Sequence, residues 1–164
     1  MKTLYILRHA KSSWDFNELS DHDRPLNKRG RTDAAIMGQE LASRDVNPEI
    51  IISSTAVRAL STATLISKEL GFNPQDILLR ERVYGASKED LLEVVQEVAT
   101  EVQTVMLVGH NETISEFANS LSPEPLAAMP TAGVIALEFN CDSWYEISRD
   151  NARLLFFDFP KNYE

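Results

Sequence analysis

Near the amino terminus, Thr3-Leu4-Tyr5-Ile6-Leu7 runs without a charged residue into Arg8-His9-Ala10. An apolar run with no polar alternation has no face for water. It predicts a strand covered on both sides, as in a parallel sheet. The end of such a strand opens on the carboxyl edge, where open α/β sheets bind their ligands. Arg8 and His9 are therefore expected on that edge, a position suited to an anion.

The rest of the chain repeats the pattern. Ile50-Ile51-Ile52 is a second short buried strand, and Ser53-Ser54-Thr55 after it offers N-cap chemistry to a helix over about Ala56 to Leu70, which Gly71 ends. Ile77-Leu78-Leu79 reads as a third strand, leading into Arg80-Glu81-Arg82-Val83-Tyr84-Gly85. Thr104 to Val108 is another buried strand and runs directly into Gly109-His110-Asn111. Between these lie helical spacings from Lys28 to Arg44, after Ser87 (with Asp90 completing an approximate capping box), and from Glu112 to Leu121. Two strands, about Val134 to Phe139 and Arg153 to Phe159, close the chain. Strands alternating with helices predict right-handed crossovers and an α/β fold, a mainly parallel sheet between helical layers. No repeat or linker interrupts residues 1–164, so one domain is expected.

Charge and cysteine content narrow the function. A formal net charge of −9 argues against a nucleic-acid or anionic-membrane binder, and makes any anion site a local basic pocket. The single cysteine, Cys141, excludes an intrachain disulfide and fits a reducing compartment. The first apolar run is too short for a signal-peptide core, and a cytoplasmic location is expected.

In a parallel sheet every strand-to-helix connection opens on the same edge. Arg8, His9, Arg58 and His110 thus come from separate segments to one place, together with the N-termini of two helices. Paired guanidinium forks and a nearby neutral imidazole suit a phosphoryl group: the forks hold its oxygens and the imidazole can attack phosphorus. A metal site built from His9, His22 and His110 competes with this reading. Arginines at the site would repel a cation, and no metal-ligand spacing is present. His22, between Asp21 and Asp23, reads as an exposed or salt-bridged side chain.

Arg8-His9-Ala10 resembles the first signature of the histidine phosphatase superfamily, which includes the cofactor-dependent phosphoglycerate mutases. Ser53 to Ala59 resembles its second-arginine motif, Gly109-His110 its second-histidine motif, and Glu81 to Gly85 its acid-bearing segment. Asp23-Arg24-Pro25-Leu26 and Thr131-Ala132 are most similar to the SixA-type phosphohistidine phosphatases. The resemblance implies a phosphoglycerate mutase-like three-layer α/β/α sandwich. It implies that His9 is phosphorylated, that Arg8, Arg58 and His110 hold the phosphoryl group, that Arg24 is a further phosphate contact, and that Glu81 protonates the leaving group. No cofactor or metal is implied.

Two departures stand out. Ala10 replaces a glycine, so that position does not require positive φ. Asp15 stands after Trp14 in place of an asparagine, and a carboxylate there would repel phosphate. The expected partner is a phosphorylated protein, such as a phosphohistidine-carrying domain, or else a small phosphate ester. The alternatives are a broad small-molecule phosphomonoesterase and a non-catalytic phospho-binding module. The short connection from Ala10 to Lys28 predicts a shallow, open pocket.

Overall fold

Alternation along the first strand decides how the layers assemble. In the computed structural model, which describes residues 1–164, β1 spans Lys2–Arg8. Its Leu4 and Ile6 side chains enter one apolar cluster, and Tyr5 and Leu7 enter another on the opposite face. The same division runs through β2 (Ile50–Ser53) and β4 (Thr104–Gly109). Ile52, Val105 and Leu107 lie on the first side, and Ile51, Met106 and Val108 on the second. Helices cover both faces. α1 (Lys28–Ser43) and α2 (Val57–Leu70) pack over Tyr5 and Leu7, and α3 (Lys88–Gln96) and α4 (Thr113–Leu121) over Leu4 and Ile6. The result is the expected three-layer α/β/α sandwich.

The sheet contains six strands in the order β3-β2-β4-β1-β5-β6, where β3 is Leu78–Leu79, β5 Val134–Phe139 and β6 Ala152–Asp158. β3, β2, β4 and β1 are parallel neighbours, β5 runs antiparallel to β1, and β6 antiparallel to β5. The sheet is therefore mixed, with β5 alone reversed. The apolar runs at β1 and β4 are central and fully covered, as their composition requires. β3 is shorter than its apolar run because it pairs only with Ile52 and Ser53 at the edge.

Two helix starts differ in their chemistry. The Ser87 hydroxyl and the Asp90 carboxylate form the expected capping box on α3. At α2 the N-cap is Ala56, with no side-chain cap. Ser54 instead accepts from Ala56 N–H at 3.1 Å and turns its hydroxyl toward the site. No helix is long and apolar enough to cross a membrane.

Candidate active site

Register brings the candidate residues together. Arg8 pairs with Gly109 across β1 and β4, and Ser53 with Val108 across β2 and β4. The residues that follow leave the sheet side by side: His9 N–H donates to Gly109 O at 3.0 Å, and Ser54 N–H to Val108 O at 3.1 Å. The His9 and His110 rings consequently lie 5.1 Å apart, tilted by 57°.

His9 is held by its own backbone neighbour. Its Nδ1 lies 2.6 Å from Ala10 O, and a carbonyl can only accept, so the ring proton is on Nδ1 and the Nε2 lone pair is free. Ala10 is fixed in turn by Thr62, whose hydroxyl accepts from Ala10 N–H at 2.9 Å and donates to Arg58 O at 2.7 Å. Ala10 has no positive φ, so its methyl group costs nothing there. Burial pushes the His9 imidazole down to about 4. Its hydrogen bond to Ala10 opposes this shift, and Arg58, Arg8 and Arg24 reinforce it. Burial, with the His9 and Arg58 charges, takes His110 down to about 3. Both rings are neutral near pH 7.

Three arginines surround these rings. Arg8 donates to Met129 O at 2.8 Å, and its Nε has no partner. Arg58, in the first turn of α2 and 7% exposed, reaches back to Asp21, donating to the backbone carbonyl at 2.5 Å and to Oδ2 at 2.9 Å. Arg24 is buried as well. It donates to Ser13 O, to Asp21 Oδ1 at 3.0 Å and to Ser12 Oγ, and it stacks 3.5 Å from the exposed Trp14 ring. The Asp15 side chain is exposed on that same loop.

His110 Nε2 is 2.8 Å from Ser54 Oγ, and its Nδ1 has no partner. Arg8 Nε and His110 Nδ1 are the two buried side-chain polar atoms of the protein left without a hydrogen bond. Buried polar atoms are nearly always satisfied, so each of these two is open to a further partner; Arg8 Nε–H can only donate, and His110 Nδ1 donates when Nε2 accepts from Ser54.

Glu81 follows β3 in a short 3₁₀ turn (Glu81–Val83) on the same edge. It is exposed and forms no ion pair, since Arg82 binds Glu93 and Glu97 instead. His22 stands apart from the histidine pair. It pairs with Asp23 at 3.1 Å and meets Thr55 Oγ1 at 2.9 Å, with the Tyr84 ring packed against it and against His110. No group of three His, Cys, Asp or Glu side chains is arranged as a metal site.

Sequence reasoning missed Asp21, Tyr84, Ser54 and the Met129 carbonyl. Each flanks or lies within a stretch whose importance is legible, but nothing local marks its contact. The Asp21 carboxylate is held at about 2 by the Tyr84 hydroxyl, which donates to it at 2.7 Å, and by Arg58. Asp21 and its partners cover Arg58, and His9 is only 9% exposed.

A family model described as the histidine phosphatase superfamily (branch 1) matches residues 4–104. An uncharacterised chloroplastic protein of Arabidopsis thaliana is 34% identical across 88% of this chain and 70% of its own. A crystal structure from Agrobacterium tumefaciens, provisionally named phosphohistidine phosphatase SixA, is 32% identical with a TM-score of 0.78, covering 96% of this chain and 97% of that one. The tungstate complex of the protein histidine phosphatase SixA shares the fold, with a TM-score of 0.83 at 19% identity over 99% of both chains.

Proposed function

The chain belongs to the histidine phosphatase superfamily, branch 1, and from that premise we propose that it is a phosphatase using His9 as nucleophile, with phosphohistidine on a protein partner as substrate. The observation that carries the reading is the unsatisfied pair, Arg8 Nε and His110 Nδ1, beside a neutral His9 with a free Nε2. A phosphoryl group satisfies both atoms while its phosphorus faces the nucleophile.

In the first step Nε2 of His9 bonds to phosphorus as the bond from phosphorus to the leaving group breaks. Arg8 and Arg58 clamp the equatorial oxygens, and Arg24 adds a further positive charge. In this reading the Ser54 hydroxyl donates to His110 Nε2, which puts the ring proton on Nδ1 for a phosphoryl oxygen. Glu81, unpaired and on the same edge, gives the leaving atom its proton. Water then attacks phospho-His9, losing a proton to the Glu81 carboxylate, and releases inorganic phosphate with His9 restored.

The substrate class rests on two supports. One is likeness to the Agrobacterium protein named for phosphohistidine. The other is the rim: Trp14, Phe16 and Leu19 are exposed at 76%, 45% and 38% on the loop that carries Arg24's stacking partner, a surface suited to contact with another protein.

The test is a single-turnover reaction with a phosphohistidine-bearing domain, with sugar phosphates, nucleotides and p-nitrophenyl phosphate in parallel. The expected result is a phosphoryl group trapped on His9, absent in His9→Ala, and kcat/KM highest on the phosphoprotein. A phosphoryl group trapped elsewhere overturns the nucleophile assignment. Binding without turnover would mark a phospho-binding module, and a metabolite about tenfold better than the phosphoprotein would mark a phosphomonoesterase.

A further inference from the structure

Asp21 occupies the Arg58 fork that the proposed chemistry assigns to the substrate. Its carboxylate accepts from Arg58 at 2.9 Å, Arg24 at 3.0 Å and the Tyr84 hydroxyl at 2.7 Å, and its backbone carbonyl takes the second Arg58 amino group at 2.5 Å. Two guanidinium groups and a hydroxyl converging on oxygens of one anionic group are the contacts expected for a phosphoryl group. Both amino groups of Arg58 are engaged this way, which fills the end of the guanidinium fork and leaves only its Nε side for a second anion.

We propose that the Asp21 side chain is a built-in competitor for the oxyanion pocket, holding Arg58 in place of a phosphoryl group and releasing it when one binds. The inference rests on the reading of this pocket as a phosphoryl site. The asymmetry of burial says which partner moves. Arg58 is buried and anchored in α2, whereas the Asp21 side chain is 54% exposed on a 3₁₀ turn (Asp21–Asp23) that buries none of its residues. A carboxylate leaving that position enters water, where it is well solvated. The arginine has no such exit.

A competitor of this kind penalises every ligand of the pocket equally. A free oxyanion, product phosphate included, has only the pocket to bind. A phosphoryl group carried by a larger partner gains contacts outside it that offset the displacement. Asp21 thereby becomes a specificity-determining residue, weakening small anions below the level that Arg8, Arg24 and Arg58 would otherwise give.

The opposite role is equally concrete. Were Asp21 a positioning residue that presents Arg58 to the substrate, neutralising it would loosen the arginine and weaken anion binding. Calorimetric titration with tungstate separates the two. Asp21→Asn is expected to bind tungstate about tenfold more tightly than the wild type, a change of about 1.4 kcal/mol. Unchanged or weaker binding overturns the proposal and leaves the phosphoryl site standing. The wild-type protein supplies an independent measurement should the variant fail to fold. In its tungstate complex the Asp21 carboxylate should lie beyond the 2.9 Å it now keeps from Arg58, outside ion-pair distance. Tungstate bound beside an intact Asp21–Arg58 pair overturns the proposal. No binding by either protein overturns the phosphoryl-site reading itself.

Discussion

The two imidazoles carry the pH behaviour of the site. Unfolded histidines titrate near 6.5, while burial lowers His9 to about 4 and His110 to about 3. Between these values the unfolded chain takes up protons that the folded chain refuses. The corresponding stability is present above pH 6.5 and is lost as pH falls toward 4. The urea midpoint of the wild type should therefore drop between pH 7 and pH 5, and the drop should be smaller in His9→Asn and His110→Asn. Equal slopes in all three proteins would contradict neutral burial of these rings. In the proposed reaction Glu81 is the other residue whose role turns on a proton. Glu81→Gln should cost about 10²–10⁴-fold with leaving groups that need protonation. It should cost far less with nitrophenolate, and equal losses would remove it from the acid role.

At the level of elements, the start of α1 fixes the chain after His9. Asn27 caps the helix by accepting from Gly30 N–H at 2.7 Å, and its own N–H donates to Lys11 O at 3.0 Å. A Cβ on Gly30 would stand 2.1 Å from that same carbonyl. Gly30 is required for close approach of backbone to backbone, since it lies inside α1 with no positive φ. Gly30→Ala should force Lys11 away, shifting Ala10 and the carbonyl that orients His9. A loss of about 1–3 kcal/mol in denaturant unfolding, with a fall in kcat larger than any change in KM, is expected. Wild-type stability in this variant would show that the contact yields cheaply. On the other side of His9, Ala132 adopts φ +60° and donates its N–H to His9 O at 3.1 Å, and Met129 O accepts from Arg8. One loop thus supports both residues of the first motif.

Across the whole molecule the charge of −9 surrounds a pocket lined by Arg8, Arg24 and Arg58. Such a surface repels acidic partners and attracts a basic docking face. Association with a phosphoprotein that presents basic residues should slow as ionic strength rises from about 10 to 150 mM, because the Debye length falls from about 30 to 8 Å. Stopped-flow mixing measures this, and a salt-independent rate would remove steering from the account. In the proposed reaction the arginines supply the positive charge that divalent ions supply in phosphoryl-transfer sites of other proteins. Turnover should survive a chelator unchanged. Loss of activity that is restored by a divalent ion would defeat this expectation.

Much of this protein was determined by short-range patterns in the chain. Uninterrupted apolar runs at Thr3–Leu7 and Thr104–Val108 match central strands covered on both faces, and both are central in the sheet. Parallel topology then delivers Arg8, His9 and His110 to one edge, because every strand that leads into a helix ends on the same side. Ser87 and Asp90 likewise announced a helix start, since capping is local chemistry. What the tertiary structure alone decided lies in contacts between distant residues. Asp21 meets Arg58 37 positions away and Tyr84 63 positions away, and Ser54 meets His110 at a separation of 56. No periodicity or propensity encodes such pairs, because they depend on how loops of irregular conformation fold back over the sheet edge. A serine read as a helix cap became the partner of a histidine. A buried arginine left without a counter-charge is costly, and the carboxylate that meets Arg58 comes from a turn 37 positions earlier in the chain.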